Sequence, residues 1–351
     1  MRLGALEAGG LQLALRVGFL LAASLTSVIQ AVAAEPADSA LASKTAAGPK
    51  TAASPEEQSL LALPTTFDHI GRVVVPAMVN GKGPFRFIVD TGATHSTVSP
   101  GLVRALGLKP TEMPSFVLNG ITGTAQVFAV TIDTLQTGDL TMDGLVAPVV
   151  WAPVMAGADG IFGAAGLTEK SLSVDFERNR VRVGRGVEPA LRKAAMKIHA
   201  ARLTHGLITL DSQVGKVHAL AVIDTGSERT LGNLALRDAL KLRNRTGAKA
   251  LVTSVYGATE QVEHGELSIA PTISIDAMRI NDVQVVYGDF HIFKVWDMED
   301  KPAIIVGMDV LGTVGSLGID FKNQDIYFTS SRANTTKFAP ASELASTVQR
   351  K

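Results

Sequence analysis

The chain contains no cysteine in its 351 residues. That absence excludes disulfide bridges, thiolate metal sites and a cysteine nucleophile. Net charge is also lacking, because 33 lysine and arginine residues balance 33 aspartate and glutamate residues. A balanced chain gives no electrostatic signal for nucleic acid, a membrane surface or a polyanionic substrate. Hydrophobic residues make up 46% of the sequence, which predicts a globular core rather than disorder.

Motifs for metals and cofactors are missing as well. The seven histidines are scattered without a metal spacing such as His-Glu-x-x-His. The glycine-rich stretch GRGVEP at 184–189 lacks the third glycine and the Lys-Ser/Thr ending of a phosphate loop. His95 has no Gly-x-Ser-x-Gly elbow beside it and is interpreted as a loop or subsite residue. No metal and no cofactor are therefore expected.

The N-terminus has the pattern of a secretory signal. Arg2 and Arg16 precede the apolar run VGFLLAASLTSVI at 17–29, and the small residues of AVAAEP follow. This pattern predicts a signal peptide over 1–34, cleaved after Ala33 or Ala34. The apolar run is shorter than the ~20 residues of a spanning helix. We expect export to the periplasm or the medium, with membrane attachment only if the segment stays uncleaved.

Composition divides the rest of the chain. Residues 35–60 are rich in Ala, Ser, Pro and Thr without a hydrophobic period, which is typical of a flexible linker. Two folded units are expected at 61–187 and 203–330, with a linking helix at 188–202 and a tail at 331–351. The helix is predicted because Leu191, Ala195 and Ile198 fall on one helical face.

Four landmarks occur twice, in the same order. FIVDTG at 87–92 matches AVIDTG at 221–226, and each follows a predicted hairpin, at Asn80-Gly81 and at Gly215-Lys216. A short helical pattern comes after each DTG. The stretch DGIFG before Ala164 then matches AIIVG before Met308, and SLSVDF matches SLGIDF. The last pair contains Asp175 and Asp320, for which a turn or edge-strand role is expected. The chain thus contains two copies of one unit.

Two copies of a unit can pack about a pseudo-two-fold axis, so a residue near the axis meets its own counterpart. Asp90 and Asp224 would then form a pair. Two adjacent buried carboxylates share a proton, so one can activate water while the other donates to a carbonyl oxygen. Supporting roles are expected for the rest of each DTG: Thr91, Gly92, Thr225 and Gly226.

Two DTG loops, each ending a hairpin and followed by an apolar-apolar-Gly segment, resemble the aspartic proteases of the retropepsin and pepsin clan. VNGKGPFRFIVDTGA at 79–93 is similar to the bacterial retropepsin-like proteases. The resemblance implies an all-β, bilobal acid-protease fold, with two retropepsin-like β-barrel lobes in pseudo-two-fold symmetry. It implies that Asp90 and Asp224 are catalytic and that the partner is a protein or peptide substrate. Because both units lie in one chain, a monomer is expected.

The departures from the pepsin pattern concern the flaps and one loop. The predicted first flap, LNGITGTAQ at 118–126, has no tyrosine, whereas VYGATEQ at 255–261 has one, so either flap could cover the cleft. The loop residue after DTG is Ala93 in one unit and Ser227 in the other. The Ser227 hydroxyl is expected to donate to the carboxylate and lower the pKa of the pair. The predicted flap residues are Gly120, Ile121, Thr122, Gly123, Tyr256 and Gly257.

Three functions are compatible with this pattern. The first is an aspartic endopeptidase that hydrolyses peptide bonds with a water held between the two DTG aspartates. The second is a catalytically inactive peptide-binding protein of the same fold, since fold and function separate readily. The third is a structural module tethered to the envelope. Cleavage of peptides with and without Asp90→Asn distinguishes the first from the other two.

Overall fold

The structure is a computed structural model that describes residues 63–64, 66–68, 71–138, 140–150, 155–202, 206–242 and 251–331. The predicted signal peptide at 1–34, the linker at 35–60 and nearly all of the predicted tail lie outside the described residues. Among those described, no helix is both long and apolar enough to cross a membrane.

The first lobe is built on a sheet whose central strands are apolar on both faces. Phe87, Ile88 and Val89 are buried in succession, which is typical of a strand covered on both sides. The sheet has the order β5-β10-β4-β3-β8-β9, with β2 paired to β3. The strands of this half are β1 (Leu63–Pro64), β2 (Thr66–Phe67), β3 (Val73–Val79), β4 (Lys82–Asp90), β5 (Thr97–Val98), β6 (Phe116–Gly120), β7 (Gly123–Val127), β8 (Ala129–Thr137), β9 (Leu140–Pro148), β10 (Gly160–Gly163), β11 (Ser171–Asp175) and β12 (Arg180–Gly184).

The second lobe repeats this plan in a larger sheet of order β18-β19-β22-β17-β23-β16-β15-β20-β21, with β14 paired to β15. Its second hairpin strand is again apolar, with Ala221, Val222 and Ile223 buried. The strands are β13 (Met196–His199), β14 (Ala201–Arg202), β15 (Ile208–Val214), β16 (Val217–Ile223), β17 (Leu231–Asn233), β18 (Leu251–Tyr256), β19 (Val262–Ile269), β20 (Ile273–Ile275), β21 (Met278–Ile280), β22 (Gln284–Gly288), β23 (Ala303–Val306), β24 (Ser316–Asp320) and β25 (Asp325–Thr329).

Short helices occupy matching places in the two lobes. The predicted helical patterns after each DTG form helices, and each begins at a side-chain cap. Ser99 Oγ accepts from Leu102 N at 3.1 Å, and Asn233 Oδ1 accepts from Leu236 N at 2.8 Å. The α-helices are α1 (Pro100–Leu106), α2 (Pro189–Ala194), α3 (Leu234–Ala239), α4 (His291–Val295) and α5 (Met308–Leu311), and Ala164–Leu167 form a 3₁₀ turn.

A third sheet joins the two halves of the chain. Its order is β1-β12-β11-β24-β25-β13, and its central pair, β11 and β24, is antiparallel with Ser173 opposite Gly318. Two strands lie on each side of that pair, β12 and β1 on one side and β25 and β13 on the other, in the matching arrangement that a pseudo-two-fold axis requires. The buried residues of this sheet share one apolar core with those of both lobes. The fold is all-β and bilobal, as predicted.

The predicted linking helix at 188–202 is wrong beyond its first half. Helix α2 ends at Ala194, and the chain then enters β13 and β14. Met196 and Ile198 are half-buried while Lys197 and His199 are exposed, which is a two-residue period. The edge of β25 accepts this segment as an added strand, and tertiary pairing overrides the weak helical pattern.

Candidate active site

Parallel strand pairs place the two aspartates. Asp90 is the last residue of β4 and lies opposite Gly163 of β10. In the second lobe β16 runs parallel to β23, with Ile223 opposite Val306, and Asp224 N donates to Val306 O at 3.1 Å. The repeated Ile-x-Gly segments thus support the strands that carry the aspartates.

The two DTG threonines lock the loops together across the axis. Thr91 N donates to Thr225 Oγ1 at 3.2 Å, and Thr225 N donates to Thr91 Oγ1 at 3.1 Å. Each hydroxyl donates in turn to the opposite lobe: Thr91 to Ile223 O at 2.6 Å, and Thr225 to Val89 O at 2.7 Å. Both threonines are buried, at 3% and 0% exposure, so these four bonds lie out of competition with water.

The glycine of each DTG lies against the carboxylate of the other loop. A Cβ added to Gly92 would lie 2.5 Å from Asp224 Cγ, and one added to Gly226 would overlap the Asp90 carboxylate. Only glycine lets the backbone approach this closely. The predicted supporting residues of the two motifs are therefore brought together as a symmetric set.

Asp90 and Asp224 hydrogen-bond to each other, and each also accepts two backbone N–H groups. Gly92 N and Ala93 N both donate to Asp90 Oδ1 at 2.9 Å. In the second loop Gly226 N and Ser227 N donate to Asp224 Oδ1 at 2.8 and 3.1 Å. One oxygen of each carboxylate is thus fixed by the backbone.

Burial raises the pKa of both aspartates. For Asp224 the shift is large, because the charge of Asp90 adds to the burial. For Asp90 burial also raises the pKa, but its hydrogen bonds and the positive charge of Arg72 oppose the shift. Arg72 is itself buried, with Nε donating to Asp68 Oδ2 at 2.7 Å. The two carboxyl groups therefore titrate as one pair that holds a single proton over a range of pH.

Comparison with known families agrees with this geometry. The family model described as aspartyl protease matches residues 75–165 and 210–310, which together are more than half of the chain. The chain belongs to the aspartyl protease family. One match falls on each lobe and includes its DTG loop, consistent with two fused retropepsin-like units. The comparison with curated proteins gave no significant match.

A second set of contacts holds the loop after each DTG of this aspartyl protease family member to the Ile-x-Gly segment of the same lobe. The sequence analysis did not predict these contacts. Gly163 N donates to Ser96 Oγ at 3.1 Å, and Gly307 N donates to Thr230 Oγ1 at 3.2 Å. Ser96 and Thr230 lie 134 residues apart, the same separation as Asp90 and Asp224. The repeat of a hydroxyl residue at that spacing could have predicted these two contacts from the sequence.

Both predicted flaps are hairpins, and they meet tip to tip. The first flap, β6 and β7, turns at Ile121 and Thr122; the second, β18 and β19, turns between Tyr256 and Val262. Thr122 and Thr259 are 1% and 6% exposed, and their hydroxyl oxygens lie 2.8 Å apart. Of the predicted flap residues, Gly120, Thr122, Gly123 and Gly257 are buried in this contact region.

Tyr256 does not take part in that contact. The residue is 57% exposed and is paired with Val262 on the neighbouring strand of the second flap. The contact residue of this flap that the sequence did not identify is Thr259. Its signal was the repeat of Gly-Ile-Thr at 120–122 as Gly-Ala-Thr at 257–259.

Ser227 does not act as expected. Its hydroxyl donates to Arg229 O at 2.8 Å, and only its backbone N–H reaches Asp224, as that of Ala93 reaches Asp90. A serine hydroxyl readily bonds to a nearby carbonyl of its own turn. The two loops therefore support their carboxylates in the same way.

The correction changes what Ser227→Ala should do. Because no hydroxyl bond to Asp224 is lost, the acidic limb of the pH profile of kcat/KM should stay where it is in the parent chain. Measuring kcat/KM against pH for both proteins tests this, since the limb reports groups of the free enzyme. An upward shift of the acidic limb in Ser227→Ala would instead indicate that the Ser227 hydroxyl donates to the Asp224 carboxylate.

The remaining candidates have structural positions. The His95 ring contacts Phe116 at the base of the first flap, with ring centroids 5.3 Å apart. Asp175 and Asp320 accept the backbone N–H groups of Arg178 and Asn323 in turns, as expected. No group of His, Asp and Glu suited to holding a metal ion occurs among the described residues.

Proposed function

We propose that the protein is an aspartic endopeptidase. The observation that carries the proposal is the pair of carboxyl groups, half-buried Asp90 and buried Asp224, that hydrogen-bond to each other where the two lobes meet. Membership of the aspartyl protease family supports a hydrolase of protease type. The backbone N–H groups and crossed threonines supply the fixed geometry that such a pair needs.

Each aspartate has a separate role in this mechanism. Ionised Asp90 takes a proton from a water molecule, whose oxygen forms a bond to the scissile carbonyl carbon. Protonated Asp224 donates to the carbonyl oxygen, which becomes a hydroxyl in the tetrahedral intermediate. As the intermediate collapses, the hydroxyl proton returns to Asp224. The proton on Asp90 passes to the amide nitrogen, and the C–N bond breaks.

The shared proton sets the pH range of the reaction. Since burial raises the pKa of Asp224, the singly protonated pair persists above the usual range of a carboxyl group. Activity should therefore be highest at acidic to mildly acidic pH and should fall as the pH rises through the pKa of Asp224.

The substrate fits as an extended peptide between the dyad and the two flaps, where it can pair with hairpin strands. An extended segment is available in unfolded proteins and in exposed loops. We further propose that the protein acts as an exported monomer, because both units lie in one chain and the N-terminus has a signal pattern.

Peptide cleavage by the purified chain tests the proposal directly. A peptide analogue with a hydroxyl group in place of the scissile carbonyl should bind at least ~10²-fold more tightly than the parent peptide, because it imitates the tetrahedral species. Inhibition constants for the analogue and the affinity of an uncleaved parent peptide give the comparison. Equal affinities, together with no cleavage between about pH 3 and 7, would favour the inactive peptide-binding protein.

A further inference from the structure

The two flaps are anchored differently. Strands β18 and β19 of the second flap continue the ten-stranded sheet through the pairing of β19 with β22. Strands β6 and β7 of the first flap form a two-stranded sheet of their own and, among the described strands, pair only with each other. The contacts of the first flap with the rest of the protein are thus made by side chains rather than through a shared sheet.

Those side chains reach the opposite lobe. Ile121 at the tip packs against an apolar cluster of the second lobe that includes Phe290 and Ile292. Helix α4, which begins at His291, contacts both strands of the first flap. The reciprocal contact is smaller, since the second flap places only Ala258 against the cluster of the first lobe.

A polar contact accompanies the apolar one. His291 Nε2 lies 2.8 Å from Thr124 Oγ1 and 3.4 Å from Asn119 Oδ1. Thr124 Oγ1 donates to Asn119 Oδ1 at 2.8 Å, so its single proton is already used. Thr124 therefore accepts from His291, which requires the proton to be on Nε2. Asn119 and Thr124 are directly opposite each other on β6 and β7, so one imidazole binds both strands.

We propose that His291 is a positioning residue that holds the first flap closed against the second lobe. Because side-chain contacts break more easily than a shared sheet, the first flap, rather than the second, opens when substrate enters. The inference rests on the proposed function, in which substrate lies beneath the flaps. For substrate to enter, Thr124 and Asn119 must leave His291, and Thr122 must leave Thr259. Reclosure restores these contacts over the bound peptide, whose release is then slowed.

His291→Ala removes the donor, and His291→Gln replaces it, since the glutamine amide nitrogen can occupy the position of Nε2. The loss of this exposed hydrogen bond should raise the dissociation rate of the hydroxyl-containing peptide analogue about fivefold, with Gln restoring most of the parent rate. KM should rise for Ala, while the rate of the chemical step under saturation changes little. The matched control is His218→Ala, an exposed histidine on β16 outside both flaps, which should leave both rates unchanged.

Hydrogen exchange gives a readout that does not depend on activity. In His291→Ala, exchange should become faster in peptides covering 116–127 and stay unchanged in those covering 251–269. Unchanged exchange at 116–127, equal acceleration in both flaps, or no rescue by Gln would overturn the inference. If the parent chain cleaves no peptide, the proposed function fails, and the exchange pattern alone still decides whether His291 holds the flap.

Discussion

Replacing Asp90 or Asp224 by asparagine is expected to lower kcat/KM by roughly 10³-fold or more, the range over which general acid and base catalysis act together. Each variant removes one member of a pair that must both take and give a proton. Asparagine keeps the size of the side chain and one acceptor oxygen, so the N–H groups of the loop can still bind it. Steady-state kinetics on one peptide at the optimal pH measure the loss.

The control is Asp175→Asn, which changes a repeated aspartate of the same chain outside the dyad. Asp175 accepts from Arg178 N at 2.9 Å in a turn of the sheet that joins the lobes, so activity should stay close to that of the parent. Near-normal turnover in either dyad variant, with a drop in the control, would contradict the catalytic assignment.

The same dyad variants should be more stable than the parent at neutral pH. A carboxyl group whose pKa is raised by folding stabilises the native state fully below its unfolded pKa of about 3.8, and the contribution is lost as pH rises through the folded pKa. Because asparagine does not ionise, Asp224→Asn does not lose this stability as the pH rises. Thermal unfolding should give a higher Tm for the variant at pH 7 and a smaller difference at pH 4, with the parent losing stability between the two.

Much of the site could be predicted because it is repeated. The DTG motif occurs twice, at Asp90 and at Asp224, with a matched hairpin before each copy. Such a repeat implies a pseudo-two-fold axis, and residues near the axis meet their counterparts. The structure brings Thr91 to Thr225, and Gly92 and Gly226 to the opposite carboxylates, by that rule. Thr122 and Thr259 obey it as well, at a separation of 137 residues, because three residues are added between loop and flap in the second unit.

The features that sequence could not provide are those in which the two units differ. The direction of the Ser227 hydroxyl depends on a carbonyl two residues further along, and a local pattern does not fix it. Arg72 affects Asp90 from 18 positions upstream, with no repeated counterpart to draw attention to it. His291 lies in the second unit between β22 and β23, and its contact with the first flap depends on how the lobes pack. Residues 196–199 form a strand because the edge of β25 is available to pair with them.

Thr91→Val is expected to destabilise the fold strongly, because one hydroxyl serves two buried backbone groups. Valine has the shape of threonine without the hydroxyl, so Thr225 N loses its acceptor and Ile223 O loses its donor. Each unsatisfied buried group costs ~1–3 kcal/mol, which gives about 2–6 kcal/mol for the two groups. For a chain of this size that corresponds to a fall in Tm of roughly 5–15 °C. Thr225→Val should behave in the same way, since its contacts are the mirror set.

Thr91→Ser keeps the hydroxyl and should recover most of the stability. Thr97→Val is the matched control: Thr97 is 5% exposed, and its hydroxyl has no hydrogen-bond partner among the described residues, so the substitution should be neutral or slightly stabilising. Chemical denaturation of the four proteins, with peptide cleavage measured below their transitions, separates stability from activity. If Thr91→Val were no more destabilising than Thr97→Val, the crossed threonine bonds would not be what holds the two loops together. If it folded normally but lost activity, the bonds would serve only to align the two carboxylates.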